Sequence, residues 1–363
     1  MSFLPVEKAI SDSNQRHLPD LKKWLGQLLK FALAAAVVAY LIFHGDIAWE
    51  PIRSSLHEWR YSLTAFLILA ATPAGHFYRW QSLLRAGGVF LPNGEVFSYL
   101  MVSKFFNMAF PGYVSGDVLR GYYVFRRTTS EPESAADQAG RNWKAVPPTV
   151  VASIIFDRVA GLLPLIIFCL VGLLGSLWYP LPSRFMLAGA LVAGTCVAVI
   201  GILFWMAYRL AELPAVLLWI GRRLHCEESL RFLHEVTHFY VRNLRLMGKI
   251  LGLSFLTQGA SLLSFILLGA ALKVQIPLVA YFMFVPLGLM LTAIPVTPAG
   301  LGVGQVAFLS LFHIVGTAHG ANLYTLYAAS YVLINLCGAV FYVSARIPSF
   351  LPHSPNPAKI EKE

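Results

Sequence analysis

The residues with chemical potential in this chain are a few charges set in apolar surroundings beside two glycine- and proline-rich breaks. Around the first break, Pro111-Gly112, stand Lys104 and Asn107 on the entering side and Gly116, Asp117 and Arg120 on the leaving side. Asp157 and Arg158 follow inside an apolar run. Lys104 with Asn107, and Asp117 with Arg120, are three residues apart and share a face if helical. Charges inside a membrane cost about 2.5–3.5 kcal/mol each on insertion scales, so such residues default to a functional reading. The second break, Pro295 to Gly304, carries Gly300, Gly302 and Gly304 and is followed by Gln305. A helix that restarts after a break offers free N–H groups and the positive end of its dipole, which suits an anion such as phosphate. Glycines there allow close backbone approach. The candidate substrate-contacting residues are therefore Lys104, Asn107, Gly112, Gly116, Asp117, Arg120, Asp157, Arg158, Gly300, Gly302 and Gln305. Plain structural readings stand beside these. Asp117 suits a helix cap, Arg158 a snorkelling position at the cytoplasmic face, and Asp157 the neutralisation of Arg120 or Arg158.

A second motif points to different chemistry. His234-Glu235-Val236-Thr237-His238 matches the H-E-x-x-H zinc signature, with two histidines at i and i+4. Catalytic zinc needs a third protein ligand. A third histidine six residues on is replaced by Leu244, and no Asp or Glu occurs between Phe239 and Ile360. The motif lies in a stretch that also reads as a basic amphipathic surface helix, with Leu213, Val216, Leu217, Ile220 and Leu224 on one side and Phe232, Val236, Phe239 and Tyr240 after them. No metal site and no cofactor are expected. Membrane zinc proteolysis is the weakest of the functional readings.

The elements that would position these residues are membrane spans. Apolar residues make up 57% of the 363 and charged residues 13%, against about 45–50% and 25% in soluble domains. The mean hydropathy is +0.64. There is room for about eight membrane segments and no second globular domain. The four cysteines, Cys169, Cys196, Cys226 and Cys337, have no metal or redox spacing. Residues 1–24 are polar and lack the pattern of a cleavable signal. Full spans are expected at Leu25–His44, Tyr61–Trp80, Val150–Trp178, Phe185–Tyr208, Leu251–Leu272 and Leu323–Ala345. Residues 25–346 then form one membrane domain, with a cytoplasmic tail at 347–363. The pairs Glu95–Phe110 with Tyr113–Arg127, and Leu278–Ile294 with Gln305–Val315, are too short or too polar to cross singly and read as two re-entrant hairpins.

Lysine and arginine favour cytoplasmic loops. Arg126–Lys144, the long loop Arg209–Lys249 and both termini are rich in them, and all fall on one side only if both broken segments are re-entrant. That gives an all-α polytopic protein of six spans and two hairpins. Its halves, 25–178 and 185–345, each hold three spans and one hairpin in opposite orientation, as in inverted-repeat transporters. The net charge of +10 suits anionic lipid at the cytoplasmic leaflet. The basic residues are dispersed among spans, so nucleic acid is not an expected partner.

Tyr78-Arg79-Trp80, Leu83-Leu84-Arg85, Phe105-Phe106-Asn107, Phe110-Pro111-Gly112, Gly116-Asp117-Val118-Leu119-Arg120, Phe156-Asp157-Arg158-Val159-Ala160-Gly161 and Pro295 to Gln305 together resemble the lysyl-phosphatidylglycerol synthase transmembrane-domain family. The likeness runs from about Trp24 to Ala345. It implies a flippase-like domain in a bacterial inner membrane, standing alone without the aminoacyl transferase that follows it in some members, and a membrane phospholipid or lipid-linked substrate. The family commonly has Glu where this chain has Gln305, which counts against a cationic aminoacyl cargo. A scaffold or regulator that kept the fold without transport is the rival expectation, and a cavity filled by aromatic residues would favour it. Reporter fusions at both termini and within 126–144 and 209–249 are expected to read cytoplasmic; an external readout at 209–249 would overturn the topology and the inverted repeat together.

Overall fold

The computed structural model describes residues 57–109, 115–129, 148–178, 215–223, 240–293 and 300–344, with isolated positions between these stretches. The expected spans Leu25–His44 and Phe185–Tyr208, the turn holding Gly112, the motif residues His234 and Glu235, and both terminal segments lie outside the described residues, apart from such isolated positions. Every element described is a helix: α1 Trp59–Ala86, α2 Asn93–Ala109, α3 Ser115–Thr129, α4 Pro148–Gly175, α5 Ala215–Arg223, α6 Leu244–Ala271, α7 Leu278–Thr292, α8 Val303–His313 and α9 Gly320–Ser344.

Helices α4, α6 and α9 are long and apolar enough to cross a membrane. Helix α1 has the length, 28 residues, but Ser62, Thr64, Thr72, His76 and Arg79 dilute its apolar character. Where the ends are visible, the sequence sets them. Gly88 adopts φ +80° after α1, and Val89 N–H reaches back to Leu84 O at 2.9 Å, closing the helix with a left-handed residue. Asn243 caps α6 by accepting from Leu246 N–H at 3.1 Å. That cap starts α6 earlier than the apolar run Leu251–Leu272 suggested, so Arg245 and Lys249, expected in a loop, ride on its first turns. Tyr240 just before it is 1% exposed, donating its hydroxyl to Leu83 O at 3.1 Å.

Short helices pair as the two breaks suggested: α2 packs on α3, and α7 on α8. The packing has a further regularity. Helices α1 and α6 form the central pair. Helix α7 packs on α4 as α2 packs on α9, and α8 meets α9 as α3 meets α4. The contacts α6–α4 and α1–α9, α1–α4 and α6–α9, and α6–α7 and α1–α2 complete the set. Exchanging α1 with α6, α2 with α7, α3 with α8 and α4 with α9 therefore maps these helix packings onto themselves.

Glycines bring several pairs to backbone contact, as small residues do where helices associate in lipid. A Cβ on Gly116 of α3 would lie 1.9 Å from Ser103 O of α2, one on Gly338 of α9 would lie 2.2 Å from Met101 O of α2, and one on Gly172 of α4 would lie 2.6 Å from Met283 N of α7. Each hairpin is thus pressed against the last helix of the other half. Gly338→Ala and Gly172→Ala are each expected to destabilise the detergent-solubilised protein by about 1–3 kcal/mol through overpacking. Gly252→Ala, where a Cβ meets nothing within 4 Å, should be neutral or stabilising. Thermal unfolding followed by tryptophan fluorescence checks this, and equal melting of all three variants would refute the close packing.

Candidate functional site

The charged residues of the first half meet in one buried chain. Arg79 projects from the last third of α1, and its Nε donates to Asp157 Oδ1 of α4 at 2.6 Å. The other carboxylate oxygen, Oδ2, accepts from Arg120 Nη2 of α3 at 3.2 Å. One turn before Arg120, in the first turn of the same helix, Asp117 Oδ1 lies 3.1 Å from Arg120 Nε. That N–H makes no hydrogen bond there. Asp117 Oδ2 instead accepts from Arg158 Nε at 2.7 Å and lies 2.6 Å from Arg158 Nη2. The order is Arg79, Asp157, Arg120, Asp117, Arg158, alternating in sign across three helices. The side chains of the first four are 3–11% exposed, and that of Arg158 is 43% exposed.

Neutral groups hold the chain in place. Arg79 Nη1 donates to Ser254 Oγ of α6 at 3.0 Å, and Gly161 leaves room beside the guanidinium. Gln258 Nε2 donates to Gly161 O at 3.0 Å. The Arg120 guanidinium lies 4.7 Å from the centre of the Trp80 ring, a cation–π contact, and the indole N–H is fixed by Ser153 Oγ at 3.2 Å. Lys104, on α2, is within electrostatic reach of Arg79, Arg120, Asp157 and Arg158. No carboxylate among the described residues pairs with it. On α9, Tyr331 is within electrostatic reach of Arg158 and Asp117.

The N–H groups at the two helix starts are arranged differently from the expectation. Gly116 N–H donates to Asn107 Oδ1 at 2.8 Å, and Gly302 N–H donates to Gln305 Oε1 at 2.7 Å. Amide side chains thus satisfy these two groups from within, and Asn107 and Gln305 are helix caps in this structure. Gly116 serves the contact with Ser103. Gly300 and Gly302, at φ +69° and +82°, carry the chain into α8 through left-handed backbone that L side chains disfavour. Asp117, Arg120, Asp157, Arg158 and Lys104 are the candidates gathered in one place.

The chain matches the model of the lysylphosphatidylglycerol synthase TM region over residues 27–338. It belongs to that family. No curated protein and no solved structure matches it. As a member of the lysylphosphatidylglycerol synthase transmembrane family it is an integral, all-helical membrane protein, and the family's span encloses every residue of the charged chain.

Arg79 was not among the candidate residues, because a basic residue at the end of the expected span Tyr61–Trp80 reads as an ordinary loop-side charge. Its signal was present: His76 and Arg79 are three apart inside that apolar run, on one helical face. Ser254, Gln258 and Tyr331 carried no comparable mark. The bonding pattern predicts that Asp157→Asn strands two guanidiniums at once, a loss of about 3–5 kcal/mol of stability. Replacing Arg79 and Asp157 together by apolar residues should recover part of it. If the double variant is no more stable than Asp157→Asn, the two residues are not coupled as drawn.

Proposed function

We propose that this chain is a flippase-like transporter that carries the headgroup of a membrane phospholipid, or of a lipid-linked substrate, between leaflets. The observation that carries the reading is the buried chain Arg79–Asp157–Arg120–Asp117–Arg158, because charges are maintained inside an apolar helical assembly chiefly where they handle a polar passenger. The exchange symmetry of the helix packing supports an inverted repeat of six spans and two re-entrant hairpins, with both termini on the cytoplasmic side of the inner membrane.

In this mechanism the acyl chains stay in the bilayer and the phosphate meets Arg158 first, since Arg158 is the half-exposed end of the chain. The phosphate then competes with Asp117 for the guanidinium, a charge-assisted exchange. Arg120, 2% exposed, receives it deeper in. Rocking of packed helical bodies would open the site to the other leaflet. The reading assigns no catalytic residue, no cofactor and no nucleic-acid partner.

The scaffold reading draws on one observation. In the second half, Phe265, Phe308 and Tyr327 form a stacked group with ring centres 4.8 and 4.2 Å apart, and Tyr324 stacks on Phe308 at 5.1 Å. Aromatic rings thus fill the core beside the second hairpin. Proteoliposomes with a fluorescent phospholipid and an external quencher separate the two readings. The intact protein should equilibrate the leaflets, and Arg120→Ala should slow this by at least about tenfold, since removing a transition-specific charge contact costs a few kcal/mol. Absence of movement across a panel of anionic, zwitterionic and cationic phospholipids would favour the scaffold.

A further inference from the structure

Charge balance in the site reaches beyond transport as such to the class of lipid. Three guanidiniums share two carboxylates in the chain, and arginine stays protonated in proteins. The chain thus carries one uncompensated positive charge. Lys104 adds a second when protonated, in reach of three arginines and with no carboxylate paired to it among the described residues. Next to this surplus, Arg120 Nε lies 3.1 Å from Asp117 Oδ1 without forming a hydrogen bond, and Asn335 of α9, 1% exposed, brings its amide to the Tyr331 side chain. Asn335 stands one turn beyond Tyr331, on the face of α9 that reaches Arg158 and Asp117. A misaligned donor and surplus cations both call for an anion, since a buried donor without a hydrogen bond costs about 1–3 kcal/mol. Among the described residues the second half brings no acid to this site. The third residue of α3 is Asp117, and the third residue of α8 is Gln305.

Resting on the transporter reading, we propose that this site takes a lipid headgroup of net negative charge, a phosphodiester or phosphomonoester without an added amine, and discriminates against the lysyl-bearing headgroup of the family's name. Lysyl esterification of a phosphatidylglycerol headgroup adds two amines to one phosphate, turning a charge of about −1 into about +1 at neutral pH. A site with surplus cation meets the first with attraction and the second with repulsion. The specificity-determining groups are Arg158, which the headgroup reaches first, and Lys104, which pairs with no carboxylate among the described residues.

Equilibrium binding tests this without requiring lipid movement. The full chain is placed in phosphatidylcholine nanodiscs and titrated with phosphatidylglycerol, phosphatidic acid and synthetic lysyl-phosphatidylglycerol, with bound lipid counted by native mass spectrometry. The two anionic lipids should bind at least about tenfold more tightly than the lysyl lipid, because the headgroup charges differ by two units in a partly buried site. Lys104→Gln should shrink that ratio, Lys104→Arg should keep it, and Asn335→Asp, which adds the missing acid, should shift it toward the lysyl lipid. Equal or tighter binding of the lysyl lipid by the unmodified protein overturns the inference. So does loss of the preference in Arg222→Gln/Arg223→Gln, which removes exposed charge from α5 and should change nothing if the preference arises at the buried site. Should Lys104→Gln fail to fold, Asn335→Asp and the surface pair decide alone. Selective binding without leaflet exchange would sink the transporter reading and leave the charge preference standing; exchange without charge preference would do the reverse.

Discussion

Asp157 is 6% exposed and faces two arginines delivered by two different helices. A guanidinium cannot shed its proton at any physiological pH, so in an apolar interior Arg79 and Arg120 depend on that carboxylate. Its two oxygens serve one arginine each, which ties α1 and α3 to α4 at a single point. Arg79 extends the tie to α6 through Ser254, and Asp117 returns it to α4 through Arg158. The polar scaffold around the chain exists to keep these donors and acceptors matched. Trp80 stacks on Arg120 while Ser153 satisfies the indole, so even the aromatic contact has its hydrogen bond accounted for. Buried ion pairs are weak sources of net stability compared with well-packed apolar groups. Their maintenance here, on three helices, is a reason to look for a role in handling charge.

The two halves share a packing plan and differ in what fills it. Arg120 is the sixth residue of α3, and Phe308 is the sixth of α8. Around Arg120 the neighbours are Arg79 of α1 and Asp157 of α4, linked by ion pairs. Around Phe308 the neighbours are Phe265 of α6 and the α9 tyrosines Tyr324 and Tyr327, linked by ring stacking. Under the exchange of helices the first set maps onto the elements of the second. One architecture thus carries a polar centre and an aromatic centre. The first is held by directional, charge-dependent bonds; the second by contacts that tolerate sliding.

Much of this was legible in the sequence, for identifiable reasons. The apolar runs gave the helices because lipid leaves the backbone no other partner than its own carbonyls. The glycine and proline breaks marked where α2 and α7 end, since Pro111 and Pro295 follow them and proline has no N–H with which to continue a helix. Asp117, Arg120 and Asp157 announced themselves as charges where charge is expensive. Arg79 did not, because a basic residue near the end of a span has an ordinary explanation in loop charge. The fate of the helix-start amides was also hidden. Whether Asn107 turns toward Gly116 or toward a ligand depends on the approach of two helices, and only the backbone contact at Gly116 settles it. The start of α6 was misplaced because Asn243 outweighs the polar residues Arg245 and Lys249 as a boundary signal.

The contact between Gly338 and Met101 bears on how the chain is made. The first hairpin, α2 with α3, emerges early in synthesis, while the helix that covers it, α9, is the last one described. The corresponding cover for the second hairpin, α4, is already in place when α7 and α8 appear. Biogenesis is therefore lopsided although the finished packing is not. The early hairpin carries Lys104, Asp117 and Arg120, and most of the polypeptide must follow before its outer face is sealed. Non-local contacts of this kind are slow to form and leave surface open to mispairing in the interval. Of the two hairpins, the one that holds the charges is the one whose outer face is sealed last.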